Sequence, residues 1–167
     1  WVLGNPEFYH SDYFKALDIA AEFATKEGII LMDEALGTDN LEIDGVKFWG
    51  STLWTDLKFG DWFVVKKVGH GMNVFCIIRD GERAFTAQQT MEINFRTREK
   101  INWDADVIIT HHCPVVIPHR RFPISEITYG FCNDGLEQQI IDSNVKFWLY
   151  GHTHDSLIKD LNGTMLV

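Results

Sequence analysis

Three short apolar runs in this sequence each end directly in a polar loop that carries asparagine or histidine. The run at 1–3 is followed by GNPE at 4–7, the run at 106–110 by HHCP at 111–114, and the run at 145–150 by GHTH at 151–154. Short runs of β-branched and apolar residues are typical of buried strands. Open α/β sheets bind ligands at the carboxyl ends of their strands, which share one edge. We therefore expect the three loops to lie together.

The remaining pattern alternates helices and hairpins. Apolar residues recur at helical spacing from Asp12 to about Lys26, with Ser11 or Asp12 as the N-cap and Gly28 just past the end. The pair Asp44-Gly45 between alternating apolar residues predicts a hairpin. Further elements are predicted as a short strand at 29–32, helices near 62–68, at 87–103 and at 136–141, and a final hairpin turning at 162–163.

The composition favours a single folded domain spanning 1–167. In 167 residues, 46% are hydrophobic and 13% aromatic, which is enough apolar material for a core and excludes intrinsic disorder. No apolar run approaches the length of about 18 residues that a membrane span needs, so no membrane association is expected. The three cysteines have no CxxC spacing and predict neither a disulfide framework nor a zinc ribbon, which favours a cytoplasmic setting.

The charge balance bears on partners. With 24 acidic and 15 basic side chains, the net charge of -9 disfavours tight non-specific binding of nucleic acid unless a local basic patch exists. Doubled basic charge occurs at Lys66-Lys67 and at Arg120-Arg121. The sequence gives no indication of the oligomeric state.

The loop residues are suited to binding divalent metal ions. His152 and His154 are two positions apart, and in a tight loop that begins with glycine both imidazoles can converge on neighbouring ions. The Asn5 amide oxygen suits a hard or borderline ion, and the proline after His111-His112 restricts the path of that loop. An isolated HxH pair is often only a pair of surface histidines, so the joint occurrence of the loops carries the prediction.

In their order along the chain, these motifs resemble those of the calcineurin-like metallophosphoesterase superfamily. The motifs GNPE, THHCP and GHTH stand at 4–7, 110–114 and 151–154, and the likeness covers nearly the whole chain. The resemblance implies an α/β fold in which two mixed sheets pack face to face with helices outside. It also implies hydrolysis of a phosphomonoester or phosphodiester by a metal-activated hydroxide, with a small phosphoester or a nucleotide as substrate.

The resemblance also assigns roles to individual residues. Asn5, His111 and His152 would bind one metal ion and His154 the other, with Mn, Fe, Zn or Ni as candidates. In the long loop after His111, Arg120 and Arg121 are candidate substrate-binding residues, because guanidinium groups pair with phosphate; solvated loop charges are the alternative.

Two departures from the family pattern bear on catalysis. The DxH and GDxxD motifs with which the family begins have no counterpart after Trp1, so we expect an upstream segment that carries them. Pro6 stands where the family has a histidine that contacts phosphate and helps to protonate the leaving group. His112 is the candidate catalytic residue that would substitute, with packing beside the ligands as its alternative role.

Two alternative functions stay open. A catalytically impaired homologue would serve as a binding or scaffold module, which Pro6 and the missing motifs favour. A nuclease subunit working with a partner would expose an apolar surface around Trp62 and Phe63.

Overall fold

The computed structural model describes residues 1–120 and 123–167 and has a mixed α/β architecture. Six strands form one mixed sheet in the order β1-β2-β5-β6-β8-β7. Its strands are β1 (Asn40–Ile43), β2 (Val46–Ser51), β5 (Val107–Thr110), β6 (Phe147–Tyr150), β7 (Lys159–Leu161) and β8 (Thr164–Leu166). A separate two-stranded hairpin consists of β3 (Arg79–Asp80) and β4 (Arg83–Ala84).

Helices connect these strands. They are α1 (Tyr13–Glu27), the short turns α2 (Leu57–Gly60) and α4 (Val74–Ile77), and the helices α3 (Trp62–Gly71), α5 (Ala87–Glu99) and α6 (Glu137–Asp142). Two 3-10 helices, at Asn5–Phe8 and Glu126–Gly130, border the site described below. No helix in the described part of the chain is long and apolar enough to cross a membrane.

The central strands run parallel and end at one edge of the sheet. β2 pairs with β5 and β5 with β6, so that Ser51, Thr110 and Tyr150 lie side by side at the carboxyl ends. β8 extends the parallel part, while β1 and β7 are antiparallel edge strands. Trp49 and Trp148 on the central strands are fully buried in the core. The loops that follow the parallel strands are therefore brought together by a rigid, buried support.

Several local predictions are confirmed. The Asp12 carboxylate accepts a hydrogen bond from the Lys15 backbone N–H at 3.0 Å, and Gly28 ends α1 with a left-handed φ of 67°. Asp44 and Gly45 form the predicted hairpin turn, both with positive φ. The other predicted elements are also present, namely the final hairpin, the strands β5 and β6, and the helices α3, α5 and α6. Their bounds lie within a few residues of the expected ones.

Two runs predicted as strands, at 1–3 and 29–32, lie outside the sheet. They are joined by two hydrogen bonds, from the Trp1 backbone nitrogen to the Ile30 carbonyl at 2.7 Å and from the Met32 N–H to the Trp1 carbonyl at 2.8 Å. Leu3, Leu31 and Met32 are buried, so the apolar residues of these runs pack in the interior without forming strands of the sheet.

The large mixed sheet and its helices agree with the coarse α/β prediction. The described residues form the six-stranded sheet and the small hairpin, and face-to-face packing of two large sheets stays a prediction.

Candidate metal centre

The carboxyl ends of β5 and β6 place three histidines at one point. His111 and His112 follow Thr110 at the end of β5, and His152 follows Tyr150 and Gly151 at the end of β6. Asn5 approaches from the 3-10 helix Asn5–Phe8. The Thr52 hydroxyl holds this approach by donating a buried hydrogen bond of 2.9 Å to the Leu3 carbonyl. The end of β2 thus fixes the N-terminal segment against the loops that follow β5 and β6.

Three donor atoms converge between these loops. His111 Nε2 lies 2.7 Å from Asn5 Oδ1 and 2.9 Å from His152 Nδ1. A nitrogen of a neutral imidazole carries at most one hydrogen, so Nε2 can donate to only one of these two acceptors at a time. A divalent ion would instead accept lone pairs from all three atoms.

The loop around Asn5 is held on two sides. The Asn5 side-chain amide donates to the Tyr9 hydroxyl at 2.5 Å, which leaves Asn5 Oδ1 directed at His111. The Glu7 carboxylate accepts the Gly4 backbone N–H at 2.7 Å, so this residue orients the loop rather than the ligands directly. These bonds fix the amide oxygen before any ion arrives.

His112 is the third histidine of the cluster. Potential ligand atoms of His111, His112 and His152 all lie within 4.8 Å of one another. His112 Nδ1 lies 3.2 Å from the Thr52 carbonyl, which can only accept, so Nδ1 carries the hydrogen and Nε2 keeps its lone pair. Metal-binding histidines commonly donate their other N–H to a carbonyl in this way. His112 is buried and packs against His152, with ring centroids 4.3 Å apart and the ring planes tilted by 49°.

Burial keeps these imidazoles neutral. It lowers the pKa of His152 to about 3, and the neighbouring His111 and His154 add to that shift. Burial also lowers the pKa of His111 to about 4, again with a contribution from His154. The fully enclosed His112 has a pKa well below its usual value for the same reason. Neutral imidazole is the form that binds metals, so the donor set fits a divalent ion at pH 7.

His154 lies outside the cluster. Its side chain is exposed, and both His152 and His154 have left-handed backbones, with φ of 62° and 53°. Because His154 is near enough to influence the pKa of His111 and of His152, it lies at the border of the site. Its predicted role as a ligand of a second ion stays a prediction.

The predicted substrate-binding arginines have different outcomes. The Arg120 guanidinium pairs with the Asp155 carboxylate at 3.0 Å, and its backbone N–H donates to the same group at 2.8 Å. Arg120 therefore fastens its loop to the loop that follows His154, and it would have to leave Asp155 to bind phosphate. Arg121 lies outside the described residues.

Three residues that support the site were not among the candidates from the sequence. Thr52 holds both His112 and Leu3, yet it has no metal-binding group. The Thr110 hydroxyl accepts from the Trp148 indole N–H at 2.9 Å and donates to the His112 carbonyl at 2.8 Å. The Phe131 ring packs against His152 with centroids 4.9 Å apart. Thr52 was detectable in part, because it directly follows β2 as the histidines follow β5 and β6.

Comparison with known proteins gives one similarity. The chain is 25% identical to an uncharacterized protein, L509, of Acanthamoeba polyphaga mimivirus, over 181 aligned positions that cover 92% of this chain. The matched part spans 60% of the viral protein's own length. No protein-family model and no solved structure matches the chain.

Proposed function

We propose that this chain is a metal-dependent phosphoesterase of the calcineurin-like type, with the fold of two packed sheets that this type has. The observation that carries the proposal is the position of His111 Nε2, which lies 2.7 Å from Asn5 Oδ1 and 2.9 Å from His152 Nδ1 where the parallel strands β5 and β6 end. The ordered GNPE, THHCP and GHTH motifs support the same assignment.

The chemistry follows from a divalent ion held by Asn5, His111 and His152. Such an ion lowers the pKa of a water molecule and polarises a phosphoryl oxygen, so no nucleophilic side chain is needed. The buried neutral histidines keep their lone pairs for the ion at neutral pH. His112 orients the pocket through its bond to Thr52, and its Nε2 can accept a hydrogen bond or act as a further ligand. His154, exposed beside the cluster, is the proposed ligand of a second ion.

Pro6 predicts the preference among leaving groups. It has no side-chain donor and is exposed at the start of the 3-10 helix, where the family has its histidine. Loss of a general acid typically costs about 10²- to 10⁴-fold in rate, and the cost is greater for poor leaving groups. Nitrophenyl esters are therefore the proposed good substrates and alkyl esters the poor ones. Pro6→His should raise the rate on alkyl esters more than the rate on nitrophenyl esters.

The test combines metal content with turnover. Purified protein is analysed for bound metal and assayed on bis(nitrophenyl) and mono(nitrophenyl) phosphate with added Mn²⁺, as wild type and as His152→Ala. We expect bound metal and turnover in the wild type, and loss of both in the variant. His70→Ala is the matched control. His70 is exposed on α3, and the hydrogen bond of its Nδ1 in the described part of the chain is to the Lys66 carbonyl.

A binding or scaffold module is the second candidate, and the exposed Pro6 in place of an imidazole favours it. Metal bound through His152 without turnover on either ester, including in Pro6→His, would select this candidate. Absence of metal in the wild type would exclude the metal centre altogether.

A further inference from the structure

An exposed aromatic and basic surface lies on the helices that follow β2. We call it the α2–α3 surface, and it consists of Lys58, Phe59, Trp62, Phe63, Lys66 and Lys67. Phe63 is 71% exposed, Trp62 64% and Phe59 58%, which are among the most exposed large apolar side chains of the described chain. The expected exposed apolar surface around Trp62 and Phe63 is therefore present.

The Trp62 and Phe63 rings on this surface do not pack in the core, whereas the Phe59 ring is contacted by the Arg98 guanidinium. α3 is anchored by Val64 and Val68, which are buried on its other side, and Asp61 caps its first turn by accepting from the Phe63 and Val64 N–H groups. Trp62 and Phe63 contact each other edge to face, with centroids 4.9 Å apart. Two large rings held in water without a role in packing indicate a surface that binds something.

Positive charge accompanies the rings. The segment 57–71 contains three lysines and one aspartate within a chain of net charge -9. Lys66 Nζ lies 5.1 Å from the centre of the Trp62 ring, and Lys58 Nζ lies 5.3 Å from that of Tyr129. The doublet Lys66-Lys67 is thus the local basic patch that binding of a polyanion to an acidic chain requires.

This combination favours single-stranded nucleic acid over a protein partner. Lysine is depleted from the centres of protein–protein interfaces, whereas here three lysines lie in the same segment as the exposed rings and Lys66 contacts the Trp62 ring. Proteins that bind single strands stack bases on exposed aromatic rings and pair phosphates with nearby cations. Every base has a face that can stack, so the surface needs no groups that read a sequence.

The α2–α3 surface also adjoins the metal centre. α3 packs against the 3-10 helix Glu126–Gly130, and Lys58 lies over the ring of Tyr129 in that helix. Phe131, which directly follows this helix, packs on His152. The short segment 129–131 therefore contacts both sites, through Tyr129 at Lys58 and through Phe131 at His152.

We propose that the α2–α3 surface binds single-stranded nucleic acid, with bases stacked on Trp62 and Phe63 and phosphates paired with Lys58, Lys66 and Lys67. The binding itself is independent of the metal centre. That the bound strand is also the substrate rests on the proposed function.

Fluorescence anisotropy of a labelled oligothymidylate of about ten nucleotides tests the binding. EDTA is present throughout, so that hydrolysis cannot interfere. We expect Trp62→Ala/Phe63→Ala to weaken binding about tenfold or more, because stacking contributes strongly per base. Phe14→Ala/Lys15→Ala is the matched control, since both side chains are exposed on α1, and it should bind as the wild type does.

Salt dependence tests the phosphate contacts. Each phosphate paired with a lysine contributes about -0.7 to the slope of log K against log salt concentration for a single strand. Lys66→Ala/Lys67→Ala should therefore make the slope shallower by about 1.4. An unchanged slope would overturn the assignment of these lysines.

Three results would overturn the proposal. The first is equal affinity of Trp62→Ala/Phe63→Ala and the wild type. The second is competition by inorganic polyphosphate that is as strong as competition by the oligonucleotide at equal phosphate concentration, since polyphosphate cannot stack. The third is self-association, measured by sedimentation, that Trp62→Ala/Phe63→Ala abolishes in a protein that binds no oligonucleotide, which would assign the surface to a second copy of the chain.

The two proposals fail in separate ways. His152→Ala should lose hydrolysis of bis(nitrophenyl) phosphate yet bind the oligonucleotide in EDTA as tightly as the wild type does. Trp62→Ala/Phe63→Ala should keep hydrolysis of that small ester and lose oligonucleotide binding. If the oligonucleotide binds but wild-type protein with Mn²⁺ never cleaves it, the surface is a binding site and not a substrate site.

Discussion

Gly4 lies directly against the imidazole of His111. A Cβ at this position would come within 2.6 Å of His111 Cε1 and Nδ1, too close for any side chain. The φ of Gly4 is -97°, so the requirement is for space and not for backbone freedom. The absence of a side chain at position 4 is what lets the Asn5 loop and the end of β5 approach each other.

Gly4→Ala should therefore impair the metal centre. The added methyl group would displace His111, and loss of ligand orientation typically costs about 10- to 100-fold in metal affinity. Isothermal titration with Mn²⁺ measures this. Gly151→Ala is the control, because its Cβ would lie 3.7 Å from the nearest atom, the His111 carbonyl oxygen, at ordinary contact distance. Equal affinity of the two variants would contradict the steric argument.

Asp33 is a buried carboxyl group that makes the free energy of unfolding depend on pH. Burial raises its pKa to about 7 from the ordinary 3.8, and the neighbouring Glu34 adds to the shift. In the unfolded chain the group loses its proton near pH 3.8, whereas in the folded chain it keeps the proton up to about pH 7. The folded state thus binds more protons in this window, and the contribution of Asp33 to the free energy of unfolding falls as the pH rises through it.

Asp33→Asn should remove this loss. Asparagine keeps an oxygen to accept the Ala35 N–H, bonded at 2.9 Å in the wild type, but carries no charge. The free energy of unfolding of the variant minus that of the wild type should increase as the pH rises to about 7. The increase should be at most about 1.4 kcal/mol per pH unit. Urea unfolding in EDTA across this range measures it. Asp18→Asn, exposed on α1, is the control, and a difference that does not vary with pH would refute the prediction.

At the scale of elements, α5 departs most from its expectation. Its polar composition predicts a surface helix, but Thr90, Asn94 and Thr97 are buried. The Asn94 amide donates to the Trp54 carbonyl and to Asn133 Oδ1, and the Thr97 hydroxyl donates to Glu34. These partners lie some 40 or more positions away, so the local pattern contains no sign of them. This polar helix face packs inward because the Asn94 amide nitrogen and the Thr97 hydroxyl have buried partners, although Asn94 Oδ1 has none in the described part of the chain.

Asn94→Ala should be strongly destabilising. It would leave the Trp54 carbonyl and Asn133 Oδ1 buried without this donor, at a cost of about 3 kcal/mol in the free energy of unfolding. Urea unfolding measures the change. Gln88→Ala on the exposed face of the same helix should stay within about 0.5 kcal/mol of wild type. Similar losses in both variants would mean that α5 contributes only its helical propensity.

Elements with local signals could be predicted from the sequence. The Asp12 cap, the Gly28 terminus and the Asp44-Gly45 turn depend on neighbours only a few positions away. The runs at 1–3 and 29–32 could not be placed, since apolar residues signal burial without saying what covers them. In the site, the positions after apolar runs predicted that the three loops meet, and the motif resemblance selected Asn5, His111 and His152 among their residues. Thr52 was missed because its role depends on which strands are neighbours in the sheet.

The candidate metal centre combines segments that are far apart along the chain. Asn5 and His111 are 106 positions apart, and His111 and His152 are 41 apart. The parallel pairing of β5 with β6 brings His111 and His152 together. The hydrogen bond from Thr52, directly after β2, to the Leu3 carbonyl brings Asn5 to them. An ion bound by all three would add a direct link between these segments.

The same parallel pairing has a kinetic consequence. Contacts between distant chain segments form late, because long loops must close first, and folding of such sheets is slow. Interactions that are absent from the folding transition state change the unfolding rate and leave the refolding rate unaltered. Mn²⁺ should therefore slow unfolding in stopped-flow experiments without accelerating refolding, and His152→Ala should show neither effect. Faster refolding with an unchanged unfolding rate would mean that the ion nucleates the sheet. Slower unfolding with an unchanged refolding rate would mean that the centre is the last part to form during folding and the first to open during unfolding.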